Sequence, residues 1–104
     1  MTDRIKILKE YLEKNPSDNF LQHALALEHI KAGDDDAARC LFEEILTRDP
    51  GYVGSYYQLA QLLQRIGEKE LAVKWYELGM EAAKKAGETR AYGELKSALE
   101  ELVY

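Results

Sequence analysis

The stretch LALEHIKAGDDDAARCLFEE (residues 25–44) returns at residues 59–78 as LAQLLQRIGEKELAVKWYEL, displaced by 34 positions. Leu25, Ala26, Gly33, Ala38 and Glu43 recur as Leu59, Ala60, Gly67, Ala72 and Glu77. Asp34 answers to Glu68, Ala37 to Leu71 and Phe42 to Tyr76; outside the stretch, Asn15 and Pro16 answer to Asp49 and Pro50. A fixed period of this length, helical in its apolar spacing and punctuated by Gly and Pro, predicts an all-α, helix–turn–helix solenoid of antiparallel helix pairs. Such arrays present surfaces and are not built around a reaction centre.

Outward from that stretch, start and stop signals predict about six helices. Thr2 caps a first helix that runs to Lys14, and Asn15-Pro16 ends it, because the residue before proline avoids helical torsions. A second helix runs from Ser17 or Asp18 to Ala32, with Gly33 as its left-handed stop. Asp34-Asp35-Asp36 opens a third, which closes at Arg48; its carboxylates cap free amides and complement the helix dipole. A fourth from Tyr52 to Ile66 stops at Gly67, and a fifth runs from Glu68 to Ala86. After Gly87, Thr89 caps a sixth that extends to Val103.

Shifted by 34, Ile7, Leu8, Leu12 and Pro16 fall on Leu41, Phe42, Leu46 and Pro50, so the first helix reads as the second half of a repeat. The sixth reads as the first half of another, with Leu95 placed 36 residues after Leu59. A single domain, 1–104, therefore divides into a half repeat (1–16), two repeats (17–50 and 51–86) and a capping helix (87–104). In the cap, Tyr92, Leu95, Leu99 and Leu102 form one apolar stripe, while Lys96 stands where a full repeat carries a small residue.

Bulk composition narrows the function. The 104 residues are 46% apolar and 32% charged, which excludes a disordered or low-complexity chain. A net charge of −5 argues against nucleic acid and anionic membranes as partners, since both need concentrated Lys and Arg. Apolar runs fall short of a membrane span, no basic-then-apolar leader opens the chain, and one cysteine cannot form an internal disulfide. A cytoplasmic protein is the expectation.

The repeat resembles that of the tetratricopeptide repeat family, over essentially the whole chain and most closely from Pro16 to Met80. Leu25, Ala26, Ala38, Phe42 and Pro50 carry the pattern in the first repeat. Tyr56, Leu59, Ala60, Ala72, Tyr76 and Gly79 carry it in the second. Departures are Gln22 where the family has an aromatic, His29 and Leu63 for Tyr, Ile45 for a small residue and Lys84 for Pro. The physical content is plain. Ala26 with Ala38, and Ala60 with Ala72, let paired helices approach closely, Phe42 or Tyr76 wedges against the next repeat, and Gly79 admits the sixth helix against the fifth.

Reactive constellations are sparse. His23 and His29 lie six apart on one helix, about 120° around its axis, so they do not form the i, i+4 pair a metal would favour. Cys40 matches Lys74 on an outward face, without the helix N-terminus or base that activates a thiolate. Asp34, Asp35 and Asp36 lack the alternating spacing of a calcium loop. The expectation is a non-enzyme with no catalytic residue, no metal and no cofactor.

The resemblance implies a concave groove lined by the first helix of each repeat. Its inward places fall on Phe20, His23, Leu27, Ile30 and Lys31, then on Gly54, Tyr57, Gln61, Gln64 and Arg65. These lie opposite the Leu25/Ala26/His29 packing stripe. Phe20, Leu27 and Ile30 are expected to form an apolar patch toward solvent, covered by a partner, or in part by the N-terminal half repeat or the curvature of the solenoid. The family's carboxylate clamp is not assembled, since His23, Leu27 and Gln58 stand at its Lys and Asn places. With Lys31 and Arg65 on one edge, the groove suits an amphipathic helix or extended peptide with an acidic flank. His23, titrating near neutrality, would tighten binding to an acidic partner as pH falls. The functional expectation is a protein–protein interaction module, monomer or weak homodimer; the alternative is a subunit that uses the same patch for homo-oligomerisation.

Overall fold

The computed structural model describes residues 2–104 and, within them, every side chain but that of Thr2. Six helices follow one another: α1 (Thr2–Lys14), α2 (Asn19–Lys31), α3 (Asp35–Arg48), α4 (Gly54–Arg65), α5 (Lys69–Ala86) and α6 (Thr89–Val103). Each packs on the helix before and after it, and the stack measures 41 × 29 × 20 Å. Among the described residues there is no strand.

Local chemistry sets the helix ends. Asp18 caps α2 by accepting from the Leu21 amide (2.9 Å), and Asp34 caps α3 through the Ala37 amide (3.1 Å). Gly33, Gly67 and Gly87 all take left-handed torsions, with φ of 83°, 89° and 71°, which other residues adopt only at a cost. One expected cap is untested and one differs. The capping role of Thr2 lies outside the described side chains, and Thr89 is the first helical residue of α6, behind Glu88 at the cap position.

One buried cluster runs through α2–α6. Ala26, Ala38, Ala60 and Ala72 are each 0% exposed, as close helix crossings require. Phe42 and Tyr76 are equally buried, and Leu95 brings α6 into the same core. Tyr92, Leu99 and Leu102 pack against that cluster, while Lys96 points outward, so α6 closes the stack as a cap. Gly79 does more than admit α6. A Cβ there would lie 2.6 Å from Tyr56 Cβ and 3.2 Å from Leu95 Cδ1, so the tightest contact is with α4.

α1 is held more lightly. Leu8 is buried, and Arg4 of α1 reaches the Glu28 carboxylate of α2 at 3.0 Å, beside Lys31 at 3.3 Å. Burial raises the Glu28 pKa, but Lys31 and Arg4 outweigh it and hold the carboxyl below its ordinary range. Ile7 and Tyr11, in the register of Leu41 and Ile45, stay 47% and 56% exposed.

Candidate functional site

α2, α4 and α6 line one side of the stack, and their inward residues divide into two unlike halves. Between α4 and α6 lies an open cleft of about 690 Å³, lined from α4 by Tyr57, Gln61 and Gln64. Three of the residues expected on that surface therefore share one cleft. The opposite wall comes from α6: Arg90, Gly93, Glu94, Ser97, Ala98 and Glu101. None of these was among the expected site residues. The signal was present, because carrying the inward places forward by 36 residues instead of 34 lands on Arg90, Gly93, Ser97 and Glu101.

The floor of this cleft is a hydrogen-bonded set. Gln61 Nε2 donates to Tyr76 Oη (3.2 Å) and to Tyr57 Oη (3.3 Å), and Tyr76 Oη donates to Gln64 Oε1 (3.0 Å). The Tyr57 and Tyr76 rings meet edge to face, with centroids 6.3 Å apart. Burial chiefly, with the Tyr57 hydroxyl and Glu101 carboxylate nearby, pushes the Tyr76 phenol above its ordinary pKa against the opposing Gln61 bond. Tyr76 thus remains a donor at neutral pH, and its bonds orient two glutamines whose remaining polar atoms can serve a ligand.

The half built on α2 is less open than expected. Phe20 stands 72% exposed at the start of the helix, but Leu27 and Ile30 are half-buried against the core cluster. The expected three-residue patch toward solvent therefore reduces to Phe20, because Leu27 and Ile30 pack against the core cluster. Gly54 is exposed at the start of α4.

His23 belongs to the seam between α2 and α4. Its Nδ1 shares a 2.8 Å hydrogen bond with Ser55 Oγ, and its ring lies 5.4 Å from Phe42 and 6.0 Å from Tyr52. Ser55 is wholly buried and was not foreseen. Burial lowers the His23 pKa from 6.5, so the expected gain of charge just below neutrality is opposed by desolvation. The cations on the groove edge are also committed. Arg65 lies 2.8 Å from Asp35 and Lys31 3.3 Å from Glu28, so each groove-edge cation has a carboxylate beside it.

Remaining reactive groups do not converge. Cys40 is exposed and free, and His29 is half-buried on α2. Among the described residues no group of three His, Cys, Asp or Glu is placed to hold a metal ion. No described helix is long and apolar enough to cross a membrane.

Comparison with known proteins points one way. The tetratricopeptide repeat family model matches residues 41–74. A tetratricopeptide repeat domain protein from Salinibacter ruber, solved in solution, is 38% identical with a TM-score of 0.82. That match covers 85% of this chain and 89% of the other. A protein from Bordetella parapertussis is 26% identical with a TM-score of 0.81, over 94% of this chain and 85% of that one. The aspartyl/asparaginyl beta-hydroxylase of Mus musculus is 27% identical over 76% of this chain, which spans only 16% of that enzyme's length.

Proposed function

The chain belongs to the tetratricopeptide repeat family, and from that premise we propose that it binds a segment of a partner protein on its α2–α4–α6 face. The fold is one that mediates protein–protein contact. The observation that carries the reading is the α4–α6 cleft, where Tyr57, Gln61 and Gln64 are held in place before any partner arrives. Preorganised polar groups around an aromatic reduce the entropy lost on binding. Phe20, His23, Leu27, Ile30, Lys31 and Arg65 complete the face, with Phe20 as a second apolar contact and His23 as a support for the seam. Residues 17–50 and 51–86 act as its two full repeats, with 1–16 and 87–104 as half repeats.

Tyr57 is the anchor, because aromatic residues dominate interface energetics and lose little side-chain entropy. Tyr57→Ala should weaken capture of the partner by about 2 kcal/mol, the threshold for a hot spot. The check is quantitative capture from a cell lysate with wild-type, Tyr57→Ala and Lys74→Ala baits, Lys74 being exposed on α5. A protein lost with Tyr57→Ala and retained with Lys74→Ala fits the proposal; the reverse pattern removes it.

Self-association is the second reading, favoured by the exposed Ile7 and Tyr11 on α1. Against simple end-to-end stacking, Arg4 and Lys96 occupy the register in which Ala38 and Ala60 make the close crossings. Joining α6 of one copy to α1 of another would bring two cations together where two alanines belong. Light scattering over a concentration series decides it: a monomer mass supports the groove reading, and a stable dimer supports the alternative.

A further inference from the structure

We propose that the partner segment presents a lysine or arginine to the α4–α6 cleft, so that this surface selects basic and not acidic sequences. The inference rests on the groove reading above and adds to it the chemistry of what is bound.

Charge balance across the binding face carries the inference. Each cation at an inward place has a carboxylate beside it: Lys31 has Glu28, Arg65 has Asp35, and the exposed Arg90 has Glu94 at 3.4 Å, so these cations are balanced and leave no net positive charge. Glu101 lines the cleft and, among the described residues, has no ion-pair partner. Glu94 and Glu101 are seven residues apart on α6, two helical turns, and so stack on the same face toward the cleft. Across from them stands the half-buried Tyr57 ring, a surface on which a cationic side chain can rest. The net charge of −5 adds a long-range attraction in the same sense.

Geometry suits this occupant. The cleft, about 690 Å³, lies within the roughly 300–1,000 Å³ typical of ligand sites. A guanidinium or ammonium reaching Glu101 passes Tyr57 and the free polar atoms of Gln61 and Gln64, which can take the segment's backbone. Arg90 and Glu94 in the same lining balance each other, so an acidic segment would meet the net negative charge of Glu101.

The test is selection of a displayed random 12-residue peptide library on the full chain, followed by affinity measurement of the winners as synthetic peptides. Enrichment of Lys and Arg is expected, with affinity falling about fivefold or more for Glu101→Gln and weakening as salt rises. Glu101→Gln keeps the shape of an exposed side chain, so folding is not at stake, and a thermal melt of the variant verifies this. Peptides that lose binding on Tyr57→Ala yet are acidic or uncharged, or are indifferent to Glu101→Gln, overturn this inference and leave the groove reading standing. Peptides indifferent to Tyr57→Ala overturn both.

Discussion

The α2–α3 and α4–α5 hairpins solve one packing problem in two ways. In the second, Tyr56 fills the space between helices, donates its hydroxyl to the Pro50 carbonyl at 2.5 Å and leaves no room opposite it, so Gly79 faces it. In the first, Gln22 stands in the register of Tyr56 and donates to the matching Pro16 carbonyl at 3.0 Å. The register of Gly79 there holds Ile45, 0% exposed. A bulky aromatic stands in the register of a slimmer amide, a glycine stands in the register of an isoleucine, and both hairpins satisfy the same backbone acceptor. What the repeat preserves is the hydrogen bond, while the bulk shifts from the first helix of the hairpin in one case to the second helix in the other.

Four substitutions probe that comparison. Ile45→Ala should cost the most, about 2–5 kcal/mol, because a fully buried branched side chain leaves a cavity that its neighbours fill only in part. Urea denaturation with the slope compared to wild type reads this directly. Gly79→Ala should cost about 1–3 kcal/mol from overpacking on Tyr56, even after Ala returns up to about 1 kcal/mol of helix propensity. In a Tyr56→Gln background the same change should cost much less, since the slimmer side chain makes space. A double-mutant cycle without coupling would break the volume-exchange account.

Gln22→Ala comes next. Gln22 also donates to Glu44 at 2.9 Å and accepts from Arg48 Nη2 at 2.7 Å, so its loss strips partners from three groups. A fall of about 1–2 kcal/mol is expected in the same denaturation experiment, and an unchanged midpoint would mean that water replaces it freely.

The smallest effect concerns His23. Its folded pKa lies below the unfolded 6.5, so the unfolded chain takes up a proton that the folded chain resists. The stability this site contributes is complete above pH 6.5 and is lost as pH falls through the lower folded value. Wild type should lose stability relative to His23→Gln over that interval, and parallel pH profiles would contradict the seam assignment. Binding should not tighten through His23 between neutrality and pH 6.

The sequence made the helices legible because the lag of 34 aligns both their stops and their close alanines. Helix ends fell within about two residues of the structure, since Asp18, Asp34, Gly33 and Gly67 act locally. Half of the cleft was equally legible, as Tyr57, Gln61 and Gln64 share one face of one helix. The α6 wall is less legible because α6 reads as a capping helix, and its inward places emerge only when the offset of 36 that aligns Leu95 with Leu59 is also applied to the groove positions. His23 with Ser55, and Arg65 with Asp35, are partners 32 and 30 residues apart whose meeting depends on how hairpins stack, which periodicity within a helix does not encode.

The same two-hairpin contrast extends to function: the second hairpin, with α6, holds an open cleft, whereas the first has drawn most of its inward side chains into the seam. Amide chemical-shift mapping with the tightest selected peptide tests this most directly. The account expects the largest changes around Tyr57, Gln61, Gln64, Arg90, Ser97 and Glu101, with Phe20 affected less and the outer faces of α3 and α5 silent. Changes centred on Cys40 or Lys74, or on Ile7 and Tyr11 of α1, would contradict it.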